Sequence, residues 1–265
     1  MDRSAYELEF EDTFDAPTLD ERRWIPFYLS QWSSRERAAA RYELGGCLRL
    51  LIEADQEPWA PDLDGQVRVS SLQTGFFAGP AGSTIGQHRF SPAAVVREAQ
   101  RNTRLYTPRY GLVEMRARVS DDPLTMAALW MIGYEDEPER SAEICVCEIF
   151  GRDVRPDSAA IGMGVHPFGD PEIVDEFSVE TVPIDAREFH VYAAEWTPES
   201  ISFSVDGRVV KTVGQSPAYP MQLMLGLYEF REDTGPAGER AYPKELVVDY
   251  VRGYRRREER STIRR

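Results

Sequence analysis

The chain has 265 residues, 42 % of them hydrophobic, and a formal net charge of -14. That balance excludes a nucleic-acid binder working through phosphate contacts and a protein adsorbed on an anionic membrane, because both need a basic surface. Without repeats or low-complexity segments, the length suits one domain with a single large core.

The N-terminus, MDRSAYELEF, is acidic and lacks the apolar run of a secretory leader. As written it predicts a cytoplasmic protein, secreted if a leader has been trimmed. Three cysteines, an odd count, fit a reducing compartment. Cys47, Cys145 and Cys147, taken with His88, His166 and His190, give no zinc-ligand spacing. Only the C-terminus is basic: residues 252–265 hold seven arginines against Glu258 and Glu259. The expectation is one domain over 1–254 and a solvated basic tail over 255–265.

In chain order, Tyr6 to Phe10 alternates as a first strand, and FEDTFD with LDERRWIP is a turn-rich approach to the body. Residues 25–41 have no period and read as a long loop, with Trp24, Tyr28, Trp32 and Tyr42 as aromatics in or beside it. Such aromatics stack on sugars or simply anchor loops. Gly45 and Gly46 turn into the strand CLRLLIE, and Gln66 to Phe77 gives another. Gly75 to Gly86 is a glycine-rich loop, and SPAAVVREAQ from Ser91 reads as a short helix capped by Ser91 with Pro92 in its first turn. Strands then follow quickly: YGLVEMRARVS, TMAALWMIG, AEICVCEIFG, AAIGMGVH, VDEFSVETV, FHVYAAEWT, SISFSVDGRVVKTV, MQLMLGLYEF and ELVVDYVRGY. The Asp-Gly of SVDGRVV marks a hairpin. Many short strands with almost no helical period predict an all-β sandwich of two antiparallel sheets, a jelly roll with a cleft on its curved face.

The stretch that carries chemistry is AEICVCEIFG, residues 142–151. Glu143 and Glu148 are five positions apart, so on a regular strand they point to opposite faces. A bulge near Val146 or Cys147 restores the phase, puts Glu143, Cys145 and Glu148 on one face, and shortens their Cα span to about 13 Å. On a concave sheet the carboxylates would then approach to about 5 to 5.5 Å, the spacing of a nucleophile and an acid/base in retaining glycoside hydrolysis. The competing reading is an exposed edge strand.

Taken together, FEDTFDAPTLDERRW, YGLVEMRARV, ALWMIG, FHVYAAEWTPESISFSVDG and VVDYVRGY, in this order around the paired-Glu strand, resemble glycoside hydrolase family 16, the group that includes laminarinases and lichenases. The resemblance spans nearly the whole chain and implies a concanavalin A-like jelly roll. It makes Glu143 the nucleophile and Glu148 the general acid/base. It also points to Trp130, His166, Trp196, Tyr228 and Glu229 as cleft residues, and matches Asp249 to a side chain that holds a structural calcium in many members. The family motif is E-x-D-x-x-E, and Cys145 stands where it has Asp, which replaces a carboxylate that bonds the nucleophile with a weak, uncharged donor.

The activity implied is cleavage of internal β-glycosidic bonds of a polysaccharide or oligosaccharide, first a β-1,3- or mixed-linked glucan, with no cofactor required. Carbohydrate is the expected partner, neither nucleic acid nor membrane, and a monomer the expected state. A non-catalytic carbohydrate-binding protein and a transglycosylase on the same fold are the alternatives.

Overall fold

The computed structural model describes residues 3–231 and 241–257. In chain order the strands are β1 (Tyr6–Asp12), β2 (Arg41–Leu44), β3 (Leu48–Ile52), β4 (Arg68–Gln73), β5 (Gly75–Phe76), β6 (Thr103–Arg104), β7 (Gly111–Val119) and β8 (Thr125–Gly133). They continue with β9 (Glu143–Phe150), β10 (Ala159–His166), β11 (Ser178–Val182), β12 (His190–Trp196), β13 (Ile201–Val205), β14 (Arg208–Val213), β15 (Met221–Glu229) and β16 (Lys244–Arg256). Two one-turn helices interrupt them, α1 (Arg35–Ala38) and α2 (Pro61–Asp64).

Two antiparallel sheets form the jelly roll. One runs β14-β13-β12-β7-β16-β3-β2, with β1 added on β16; the other runs β11-β10-β9-β8-β15-β4. Period-two alternation decides what lies between them. On β15, Met221, Leu223, Leu225 and Leu227 face the other sheet, and on β8 Ala127, Leu129 and Met131 do the same. These meet Val113, Met115 and Ala117 of β7 and Tyr192, Ala194 and Trp196 of β12 in one inter-sheet core. The intervening residues, Ala128, Trp130, Ile132, Met224 and Tyr228, form a second apolar cluster on the outer face of the six-stranded sheet, covered by loop residues Tyr28, Leu29, Trp32 and Trp59. A sheet with apolar residues on both faces needs cover on both, and here the loops before β4 supply the second layer.

The hairpin read from Asp-Gly joins β13 to β14, with Asp206 at φ 48° and Gly207 at φ 76°, the left-handed pair of a type I′ turn. Three expectations need correction. No helix starts at Ser91: Ser91 accepts from the Ala93 and Ala94 N–H groups to close one turn. The backbone of Val96 and Arg97 then bonds to Ser83 and Gln31 of neighbouring loops instead of continuing a helix. The stretch 25–41 is not bare loop, since it holds a 3-10 turn at Ser30–Trp32 and α1. The basic tail does not begin at residue 255, because Arg255 and Arg256 still pair with β1, where Arg255 meets Glu7 at 3.1 Å and Arg252 meets Glu11 at 2.7 Å. The rest of that tail, 258–265, lies outside the described residues.

Candidate active site

The bulge expected in β9 is present. Against β8, Ala128 pairs with Glu148 and Leu129 with Cys147, but Trp130 pairs with Cys145, so Val146 is the extra residue. On the other side Gly162 opposes Glu148, Gly164 opposes Cys145 and His166 opposes Glu143. Val146 and Cys147 are both absorbed into the inter-sheet core. Glu143, Cys145 and Glu148 consequently share the outer face with Trp130, and the two glutamates flank only four residue rises of β10.

The glutamates open into a cavity of about 190 Å³ lined by Tyr28, Asp64, Val67, His88, Met126, Ala128, Trp130, Tyr228 and Phe230. Trp130 donates its indole N–H to the Tyr228 hydroxyl at 3.1 Å, and Tyr28 sets its ring edge against Tyr228 at 5.5 Å. Aromatic walls with convergent polar groups are what a sugar-binding cleft requires. Gly226 makes room for this wall, since a Cβ there would lie 2.6 Å from the Tyr228 ring.

Burial raises the Glu148 carboxyl above its ordinary range, and the Glu143 charge pushes the same way; the Cys145 thiol and His166 pull against them. The Cys145 Sγ lies 3.5 Å from Glu148 Oε1. Burial first, then the charges of Glu148 and Glu143, drive that thiol well above its usual titration range, so it stays neutral and serves as a donor. Glu143 instead meets His88, whose Nδ1 is 3.3 Å from Glu143 Oε1.

Of the other residues expected in the cleft, Trp130 and Tyr228 line it. His166 shares the face of Glu143 but sits at the edge, 3.2 Å from Asp175 and stacked on Phe177 at 4.6 Å. Trp196 and Glu229 do not reach the cleft. Trp196 is in phase with Tyr192 and Ala194, so it points into the core, where its indole N–H donates to Ser216. Glu229 is one position out of phase with Tyr228 and fully buried, held by Arg68 at 3.5 Å, Arg231 at 3.4 Å and the Tyr242 hydroxyl at 2.7 Å.

The Asp249 carboxylate pairs with Arg116 at 2.6 Å, and among the described residues it belongs to no group of three or more His, Cys, Asp or Glu that could hold a metal ion.

Residues that sequence reasoning missed complete the site. Asp64, at the end of α2, accepts the Trp59 indole N–H at 2.7 Å, and burial raises its carboxyl while His88 lowers it. Glu135, buried in the loop after β8, is pushed up to about 9 by desolvation, with the Glu143 charge adding to the effect. Its Oε1 accepts the His88 backbone N–H at 2.7 Å. No motif signals these residues, because Asp64 comes from a single helical turn and Glu135 from a loop, neither of which has periodicity.

A β-sandwich that carries two neighbouring glutamates and a wall of aromatic rings on one sheet face has the build of a carbohydrate-active protein. A family model for Glycosyl hydrolases family 16 matches residues 99–252, and the chain belongs to that family. Among curated proteins it is similar to a Beta-glucanase of Rhodothermus marinus, 29 % identical over 177 residues, which is 55 % of this chain and 57 % of that protein. Among solved structures it is similar to a GlcNAcα1-4Gal-releasing endo-β-galactosidase from Clostridium perfringens, with a TM-score of 0.82 and 30 % identity over 96 % of this chain and 63 % of that one. The catalytic domain of an endo-1,3-β-glucanase (laminarinase) from Thermotoga petrophila RKU-1 gives a TM-score of 0.64 at 18 % identity, over 96 % of this chain and 99 % of that one. The matched region thus spans less than two thirds of both the Beta-glucanase and the endo-β-galactosidase.

Proposed function

We propose that the chain is a retaining endo-glycosidase in which Glu143 is the nucleophile and Glu148 the general acid/base. The observation that carries this reading is the bulge at Val146, which turns both glutamates to one face, where burial raises the Glu148 carboxyl. Glu148 donates that proton to the glycosidic oxygen as Glu143 attacks the anomeric carbon. The departing sugar leaves a covalent glycosyl-enzyme, and water deprotonated by Glu148 then releases the sugar with retained configuration. Cys145, in place of the family's aspartate, donates to Glu148 and adds no third charge. Trp130, Tyr228 and Tyr28 supply the stacking surface.

Two substrate readings each have an observation behind them. Likeness to the Rhodothermus marinus Beta-glucanase supports an internal β-1,3- or mixed-linked glucan bond. Likeness to the Clostridium endo-β-galactosidase over nearly the whole chain supports a galactosyl linkage instead.

Incubation with β-1,3-, β-1,4- and mixed-linked glucans and with galactans, followed by product sizing, tests the activity. Shorter products support the hydrolase, longer ones a transglycosylase, and binding without products a lectin-like role. Glu143→Gln and Glu148→Gln should each lower turnover by about 10² to 10⁴-fold or more. With an activated aryl glycoside, azide should rescue Glu148→Gln to a β-azide and fail to rescue Glu143→Gln. Near-full activity in both variants would overturn the assignment.

A further inference from the structure

His88 is fixed from every side. Gln87, immediately before it, is completely buried; its Nε2 donates to Gln222 Oε1 at 2.6 Å and its Oε1 accepts the Phe77 N–H at 2.8 Å. The Gln87 carbonyl accepts from Gln31 Nε2 at 3.0 Å and Trp32 Nε1 at 2.8 Å. From this anchor the chain enters the left-handed region at His88, φ 49°, where its N–H is taken by Glu135. The imidazole stacks on Phe168, with centroids 4.5 Å apart and planes at 16°, and meets the Trp130 face edge-on at 5.1 Å. Glu135 and Phe168 are themselves left-handed, at φ 57° and 50°. Three non-glycine residues in a sparsely populated backbone region therefore meet here, His88 itself, Glu135 on its N–H and Phe168 on its ring, a concentration of strain found where a site must be held in one geometry.

What this cradle presents is Nδ1. It is buried, without an aligned hydrogen-bond partner, and 3.3 Å from Glu143 Oε1. Cys145 faces Glu148 instead, so the orientation of Glu143 falls to the imidazole.

We infer that His88 is a positioning residue for Glu143: it holds one carboxylate oxygen so that the other is aimed at the anomeric carbon. This rests on the reading of Glu143 as nucleophile. The titratable groups that face His88 are Glu143 from β9, Glu135 from the loop after β8 and Asp64 from α2. Nδ1 faces a single oxygen of Glu143 at 3.3 Å, a place that a ring or amide nitrogen suits and a second carboxylate does not.

The test compares His88→Asn with His88→Asp. Both residues tolerate left-handed backbone, are nearly the same size and lose the same ring contacts. They differ in that Asn keeps a donor where Nδ1 stood, whereas Asp places a carboxylate there. In thermal unfolding at pH 7, Asp should lie about 2–4 °C or more below Asn, and most of that gap should close when Glu143→Gln is added to both. On the polysaccharide that the protein degrades, Asn should keep kcat within about tenfold, while Asp should lower it about hundredfold with little change in KM, as expected for a misaimed nucleophile.

Additive melting shifts, or equal kcat for Asn and Asp, overturn the positioning role. If Glu143→Gln retains turnover, the nucleophile reading fails, and the positioning role fails with it even where the melting coupling persists. Additivity beside an inactive Glu143→Gln overturns the role of His88 alone.

Discussion

Replacing Glu135 by Gln should stabilise the protein above neutral pH and leave it unchanged near pH 4. In the folded chain this buried carboxyl titrates at about 9, against a usual value of 4.5, mainly because desolvation penalises its charged form. The folded state therefore holds a proton between these two values that the unfolded chain has released. Stability must fall as pH rises through that window. At pH 7 the wild type has lost about 3 kcal/mol relative to pH 4.5, from some 1.4 kcal/mol per pH unit. Gln cannot ionise, yet it keeps the volume and the oxygen that accepts the His88 N–H. The melting temperature of the variant should exceed that of the wild type by roughly 6–12 °C at pH 7, with the gap widening toward pH 9 and closing near pH 4. Thermal unfolding followed by circular dichroism across pH 4–9 measures it. A gap independent of pH, or a variant less stable at pH 8, would refute the claim that Glu135 is neutral in the fold.

Cys145→Asp puts a second carboxylate about 4 Å from Glu148, a repulsion of about 4 kcal/mol at an effective dielectric of 20. The alkaline limb of kcat/KM, where the acid loses its proton, should move up by about one to three pH units, and superimposable profiles would show that position 145 does not couple to Glu148. Gly162→Ala would bring a Cβ to 2.5 Å from Phe177 Cζ and 3.3 Å from Glu148 Cβ, forcing the ring to shift beside Glu148. A stability loss of about 1–3 kcal/mol with a fall in kcat is expected, and an unchanged melting temperature would mean that Phe177 moves freely.

The strands were legible because period two leaves a direct mark on the sequence, and β9 was legible down to its bulge. Two glutamates five apart on an apolar strand can share a face only if a residue is lost from the phase, and Val146, pointing into the core, is that residue. The same rule explains the errors. Trp196 and Glu229 were drawn toward the cleft by analogy of position, although Glu229, in parity with Leu227, faces the other side of the cleft sheet, and Trp196 lies on β12 of the opposite sheet, facing the core with Tyr192. Ser91 and Pro92 carry a proper helix start, but tertiary hydrogen bonds from Val96 and Arg97 override that local preference. His88, Asp64 and Glu135 left no mark, since their places depend on where two aperiodic loops and the one-turn helix α2 meet.

The two faces of the six-stranded sheet have opposite tasks, and the placement of polar groups shows it. Its inner face, with Leu129, Met131, Leu223 and Leu225, packs into the apolar core shared with the other sheet. The outer face carries Glu143, Glu148 and Cys145, with Asp64, Glu135 and His88 pressed against them by loops. The buried carboxyls among these, and left-handed backbone at non-glycine positions, cost the fold stability. The cost is borne because the core behind is independent of it: the side chains of β8, β9 and β15 alternate between the faces, so a residue on the cleft side can change without opening a cavity on the other. That separation leaves the same sandwich free to accept Cys145 in its most sensitive strand. The loops and α2, for their part, bring His88, Glu135 and Asp64 to the glutamates, as loops on a rigid scaffold commonly carry binding residues.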